Sequence, residues 1–413
     1  MCGARESSEV IHSSLDGINI VRFILDVHEI GGAVLDVDVL DRTLARRHAV
    51  TIHKLFMTPR EACGWTEVLG SSTITYHPIQ YRLDSIQQDR EVLVGRIRST
   101  LASVVDAHEI DLVANHVPEI ATGVLVSRIV KEMGLPLFLQ FHGGEIPRMR
   151  FGAEHQLMVD TVVRNLNESA RLADVVSAVS DSAGSILRSR QHTNLWTGAD
   201  ANFYDPSVVQ PGFLRDRLDI PADVPTVLLP ARIVVEKGHK VLLDAARVLL
   251  EKGVQFNIVF VGSVREDLRR QLENVVMEYG LSGMVHTILN ATQDEMRYIY
   301  RDADVVTLPG YHFEGCPRAF LEAQLMEKPV VGADAGGTRE SFRDHETGYL
   351  FPVGDVGRLA AVLEPLLRDP ELRQRFGKAG RRWVKQRFDL EALASRHERV
   401  YLDLLRRPAA VVA

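Results

Sequence analysis

Short apolar runs alternate with amphipathic stretches along the whole chain, a pattern that predicts parallel sheets flanked by helices. In the first half, Val21–Val27, Val50–Leu55, Thr73–Tyr76, Leu112–Ala114, Leu137–Gln140 and Val175–Ala178 read as strands. Apolar residues at helical spacing predict helices over Val34–Arg47, Arg90–His108 and Ala121–Met133. The alternation restarts with strands at Val227–Leu229, Asn257–Val261, Val285–Ile288, Val305–Leu308 and Pro329–Gly332. The intervening helices are expected at Gly238–Lys252, Glu266–Tyr279, Asp294–Arg301 and Pro317–Glu327. Three consecutive helices, Val356–Arg368, Glu371–Arg387 and Leu390–Leu405, close the sequence.

The break between the halves is Thr197–Val224, where Asp205-Pro206, Gln210-Pro211-Gly212 and Ile220-Pro221 are turn signals. The division expected is a disordered tail over 1–17, a Rossmann-like domain over 18–205, a second over 206–387, and a terminal helical segment over 388–413. Two doubly wound α/β domains facing a central cleft follow. Ligands in such sheets bind beyond the strand C-termini, so the cleft is where a substrate belongs.

The chain has 413 residues, 46% hydrophobic and 25% charged, which fits two soluble domains. No apolar run is long enough to span a bilayer, and the polar start MCGARESSEV has no signal-peptide core. Cys2, Cys63 and Cys316 fit neither a disulfide framework nor a zinc pattern, so a cytoplasmic setting is expected. The net charge of −7 is uneven. Residues 1–205 hold 19 Lys and Arg against 26 Asp and Glu, and the remainder holds 29 of each. An acidic first half argues against nucleic acid or membrane insertion there and favours a neutral or cationic small partner; plain solubility is the bland alternative.

The candidate chemistry sits at strand ends. Glu314-Gly315-Cys316-Pro317 follows the strand ending at Leu308, and Pro317 suits the first turn of a helix. Backbone N–H groups there can hold phosphate or sugar oxygens, while Glu314 and Glu322 can accept from sugar and ribose hydroxyls. Arg232 and Lys237 follow the first strand of the second half, a cation pair suited to a diphosphate. His28-Glu29-Ile30-Gly31-Gly32-Ala33 follows the first strand of the first half, where Gly31 and Gly32 let a phosphate approach the backbone. It is not the dinucleotide fingerprint, which excludes a nicotinamide enzyme. His142, in Gln140-Phe141-His142-Gly143-Gly144-Glu145, is placed to contact sugar, and Asn115, His116, Glu119 and Glu145 are acceptor-side candidates. Asp36-Val37-Asp38 and Asp302-Ala303-Asp304 read as Asp-x-Asp, but one falls inside a helix and the other before a strand, so no metal site is expected.

The Glu-x7-Glu spacing of Glu314 and Glu322 resembles the signature of the retaining GT-B glycosyltransferases of family 4. Arg232 and Lys237, the Gly31-Gly32 pair, Ala173–Ser180, Thr197-Gly198-Ala199-Asp200, Gly336-Gly337-Thr338-Arg339-Glu340 and Phe388-Asp389-Leu390 extend the likeness. It is stronger over Pro225–Leu405 than over Ile18–Asp200. The resemblance implies a GT-B fold with the donor nucleotide on the second domain, and a last helix that crosses back to the first. Glu314 and His142 would then lie at the donor sugar, and Glu322 at the ribose. Arg232 and Lys237 would grip the diphosphate, with Gly315, Cys316 and Pro317 giving backbone contacts. Gly262-Ser263 in place of two glycines, Asn290 and Pro309-Gly310 depart from the family's usual residues beside the base, which leaves base identity open.

The reaction expected is transfer of a hexose-type sugar from UDP-sugar, or second from GDP-sugar, to a small soluble acceptor in secondary metabolism. No cofactor or metal is expected. A thiol acceptor, a homodimer, a non-catalytic nucleotide-sugar module and a GT-B epimerase or phosphorylase stay open.

Overall fold

The computed structural model describes residues 13–24, 32–59, 61–80, 90–143, 152–187, 191–221 and 223–407. The first domain is an eight-stranded sheet in the order β3-β4-β2-β1-β5-β6-β7-β8. Its strands are β1 Asn19–Ile24, β2 Thr51–Thr58, β3 Trp65–Leu69, β4 Ser72–Gln80, β5 Leu112–Asn115, β6 Leu137–Phe141, β7 Val175–Ala178 and β8 Thr193–Asn194. All neighbours are parallel except β3, which runs antiparallel to β4. The second domain is a six-stranded parallel sheet in the order β11-β10-β9-β12-β13-β14. Here the strands are β9 Thr226–Pro230, β10 Asn257–Val261, β11 Val285–Ile288, β12 Val305–Leu308, β13 Val330–Ala333 and β14 Gly348–Phe351.

The central strands are buried along their length and mostly apolar, as strands covered on both faces must be. Helix starts follow local chemistry. Thr292 and Glu295 form a reciprocal capping box on Gln293–Asp302, and the Asp369 carboxylate caps Pro370–Arg387, which has proline in its first turn.

Several features differ from the sequence reading. Part of the expected tail packs as core: Leu15 is fully buried, and Gly17 N–H donates to Ala49 O at 2.8 Å. The antiparallel strand β3 was not expected, because its residues are mostly exposed and show no apolar run. The helix Gly152–Leu172 also lies beyond the expected elements. The helix after Pro317 spans Arg318–Leu325, with Pro317 as its cap residue.

The terminal helix Leu390–Leu405 lies on the first domain, where Leu393, Ala394, Tyr401 and Leu402 join a core that contains Ile20, Leu44, Ile52 and Phe138. The Tyr401 hydroxyl accepts from the buried Arg22 guanidinium, which also pairs with Asp41 at 2.8 Å. Among the described residues, no helix is long and apolar enough to cross a membrane.

Candidate functional site

In each sheet the strand order reverses beside the first parallel strand, between β1 and β5 in one and between β9 and β12 in the other. The second domain turns at β9 and β12, which are adjacent in space although two strands lie between them in sequence. A crevice beyond the strand ends is built at such a reversal. The two loops leaving β9 and β12 carry Arg232 and Lys237 on one side and Glu314 to Pro317 on the other. They lie against each other: Tyr311 N–H donates to Glu236 O at 2.8 Å. Gly238 has a φ of 74° and a side chain there would stand 2.2 Å from Pro309 O, so glycine permits this contact.

Across this joint, Lys237 Nζ donates to Glu314 Oε1 at 2.7 Å and lies 2.9 Å from His312 Nε2. His312 Nε2 is in turn 3.2 Å from Glu314 Oε1. Although burial raises the Glu314 carboxyl, Lys237, His312 and Arg232 outweigh it and hold the group below the usual carboxylate range. Arg232 is exposed in the same loop. Gly262, at the end of β10, packs under that loop, where a Cβ would stand 2.2 Å from Ala231 O. Asn290 adopts a left-handed φ of 55°, a conformation asparagine tolerates where glycine is otherwise usual.

The first domain meets this loop at its own strand ends. His142 and Gly143 follow β6, and a Cβ on Gly315 would stand 1.8 Å from His142 O. A Cβ on Gly143 would be 2.7 Å from Gly315 Cα. The C-terminal edges of the two sheets therefore face each other. Glu340 of the second domain fixes the junction, accepting from Asp181 and Ser182 N–H at 2.8 Å each at the start of the helix Asp181–Gly184.

Gly32 opens the helix Gly32–Arg47, and among the described residues nothing lies within 4 Å of where a Cβ would stand. Gly31, Glu145 and the His28–Ile30 segment lie outside the described residues. The His142 ring is buried; its Nε2 is 3.1 Å from His116 Nδ1, and its Nδ1 lies 3.9 Å from Asp36 Oδ2. Cys316 is buried beside Thr197, and burial pushes its thiol well up, so it is a poor nucleophile.

Glu322 is buried; Oε2 accepts from Tyr300 O–H at 3.0 Å and Oε1 lies 2.7 Å from Arg318 Nε. Asn115 is a correction to the acceptor-side reading, because its side chain is spent within its own domain. Nδ2 donates to Gly123 O at 2.8 Å and Ser127 Oγ at 2.9 Å, and Oδ1 accepts from Val117 N–H. His116 points into the same domain's interior, with Nε2 3.4 Å from Arg22 Nη1, and Glu119 is buried.

Both Asp-x-Asp pairs are committed to protein groups. Asp38 pairs with Lys54 and Arg42, Asp302 accepts from Gly212 and Leu214 N–H, and Asp304 accepts from Thr226 N–H. Three residues escaped the sequence reading. His312 stands two places before Glu314, and its position in a strand-end loop was the available signal. Asp36 and Arg318 pair at 3.0 Å across the domains, 282 positions apart, which no local spacing reveals.

Burial also sets an acid limit on the fold. It pushes the His53, His142 and His239 imidazoles down to about 4 and His397 to about 3. These groups are neutral in the folded chain, whereas in the unfolded chain they protonate near 6.5. Stability is therefore full above that value and falls as pH drops towards 4. The loss is about 3 kcal/mol for His142 alone at pH 4. Asp36, raised to about 6, acts in the opposite sense but is one group against four. Urea midpoints measured between pH 7.5 and 4.5 are expected to fall steadily; a flat profile would contradict the buried neutral histidines.

Residues 212–383 match the family model for Glycosyl transferases group 1. The chain is 33% identical over 217 residues to a D-inositol 3-phosphate glycosyltransferase from Xylanimonas cellulosilytica, covering 51% of each chain. It is 26% identical over 290 residues to an alpha-D-kanosaminyltransferase from Streptomyces kanamyceticus, covering 68% of this chain and 73% of that one. The chain spans about half the length of the first of these relatives. In three dimensions it resembles sucrose-phosphate synthase from Thermosynechococcus elongatus, with a TM-score of 0.78 at 20% identity over 94% of this chain and 99% of the other. The fold is GT-B.

Proposed function

We propose that this chain is a retaining, metal-independent glycosyltransferase. It moves a hexose-type sugar from a nucleoside diphosphate sugar, UDP-sugar first and GDP-sugar second, to a small soluble acceptor in the cytoplasm. The observation that carries the reading is the joint at the β9–β12 reversal, where Lys237 pairs with Glu314 at 2.7 Å beside Arg232. A diphosphate leaving group needs two cations and backbone N–H groups, and a sugar needs a carboxylate acceptor; that joint offers both.

In the mechanism, Arg232 and Lys237 stabilise the charge that grows on the departing diphosphate. Glu314 accepts hydroxyl hydrogens of the sugar, and Glu322 those of the ribose. His142, neutral at working pH, offers its Nδ1 to the sugar. The acceptor oxygen attacks the face the diphosphate leaves, through an oxocarbenium-like state, and passes its proton to a departing phosphate oxygen. The acidic first domain suits a neutral or cationic acceptor. The names of the two relatives, one with D-inositol 3-phosphate and one with kanosamine, support a polyhydroxylated small-molecule setting such as secondary metabolism.

Thermal shifts with UDP, GDP, ADP and their glucose or mannose conjugates, each with and without chelator, test this. Ligand at about 100 times its Kd adds about 2.7 kcal/mol, a rise of a few degrees. A rise with UDP that survives chelator is the expected result. No rise with any nucleotide overturns the reading, and a rise abolished by chelator overturns metal independence. Binding without consumption of any sugar nucleotide, in the presence of cyclitol acceptors, points instead to a non-catalytic module.

A further inference from the structure

Arg318 is shared between two carboxylates, one from each domain: the buried Glu322 and the partly buried Asp36. Asp36, in the first turns of the helix Gly32–Arg47, accepts from Arg318 Nη1 through Oδ1 at 3.0 Å. Its Oδ2 accepts from Thr197 O–H at 3.0 Å. Arg318 Nη1 also donates to Gly198 O at 3.3 Å, while its Nε lies 2.7 Å from Glu322 Oε1. The last contact is an ion pair without hydrogen-bond alignment. Glu322 Oε1 receives no aligned hydrogen bond among the described residues, although Glu322 is only 4% exposed. A buried carboxylate oxygen left in that state is a place for a donor from a ligand.

An arginine four residues before a glutamate on one helix could take it with both arms of its fork, which would use up the carboxylate. Asp36 draws one arm away. We propose that Arg318 is a positioning residue: held by Asp36 of the first domain, it leaves Glu322 open to ribose hydroxyls, so the first domain sets how tightly the second reads the nucleotide sugar. This rests on the donor-binding reading above. Neutralising Asp36 would let Arg318 close on Glu322 with both arms, and ribose recognition would be lost while the diphosphate contacts remain.

Asp36 is faced by Arg318 and Glu322 from the helix Arg318–Leu325, by Cys316 before it, by His142 after β6 and by Thr197 in the linker. Burial outweighs Arg318 and lifts the Asp36 carboxyl to about 6. Burial keeps His142 neutral and Cys316 a thiol between about pH 5 and 7, so neither masks the titration of Asp36.

The experiment compares calorimetric affinities for UDP and 2′,3′-dideoxy-UDP in the wild type, Asp36→Asn and Thr197→Val, from pH 5 to 8. The wild type is expected to favour UDP by about ten-fold at pH 7.5, and to lose that preference as pH falls through 6. Asp36→Asn should bind both ligands alike at every pH, with dideoxy-UDP affinity near the wild-type value. Thr197→Val removes a bond that lowers the Asp36 carboxyl, so its loss of preference should begin at higher pH, and it decides the matter should Asp36→Asn not fold. Asp36→Asn that keeps the wild-type preference, or a wild type with none, overturns the proposal. A wild type that binds neither ligand sinks the donor-site reading itself, and the proposal with it.

Discussion

Lys237→Ala is expected to cut release of UDP from UDP-glucose by about 100- to 1,000-fold while leaving the melting temperature almost unchanged. Lys237 is the cation nearest Glu314; its side chain is 19% exposed, and His312 and Arg232 stay beside the Glu314 carboxyl, so alanine leaves no sealed cavity and the carboxyl keeps two other partners. The cost falls on the charge that develops as the diphosphate departs. A second signature separates this from general damage. Lys237 is the largest influence holding the Glu314 carboxyl down, so without it Glu314 takes up a proton at higher pH. The acid limb of the turnover profile should then move upward. Lys237→Arg keeps the charge and should retain part of the activity. Near-normal turnover in Lys237→Ala, measured by UDP release, would end the glycosyltransferase assignment.

Gly315→Ala is expected to abolish turnover, by more than about 100-fold, and also to lower the melting temperature by several degrees. The added methyl would stand 1.8 Å from the His142 carbonyl and 2.9 Å from Val179 Cγ2. The first neighbour is backbone and cannot turn aside, so the loop and the first domain must separate. Two properties fail together because the contact both joins the domains and places Glu314. Gly32→Ala is the control for stability, since among the described residues its methyl would meet nothing within 4 Å. Calorimetric melting of both variants checks the contrast. A Gly315→Ala protein with wild-type melting and turnover would show that the sheet edges need not approach so closely.

Most strands were legible in the sequence because a strand buried on both faces is a continuous apolar run. Asn257–Val261 and Val305–Leu308 are seen in the structure with those same bounds. The edge strand Trp65–Leu69 was not legible, since its register comes from pairing with β4 and from Trp65 stacked on Tyr76 at 4.1 Å. The loop residues of the candidate site were legible for a different reason. Arg232, Lys237 and Glu314 each stand just after a strand, so position along the chain placed them at the cleft.

Asn115 stands just as near a strand end, yet its amide is consumed by Gly123, Ser127 and Val117. Sequence reasoning cannot separate a polar group that waits for a ligand from one that is already satisfied. Asp36 failed in the opposite way. Its place inside a helix spoke against a metal site and pointed to no other role, whereas the fold brings it against Arg318 of the other domain.

The return of the helix Leu390–Leu405 to the first domain has a consequence for synthesis. A ribosome delivers residues 18–205 long before residue 390, so the first sheet must wait with Leu44, Phe138 and the Arg22 guanidinium uncovered. The second domain can complete its own sheet in the meantime. The nascent first domain is therefore the part most in need of a chaperone, and it reaches its final packing only after the second.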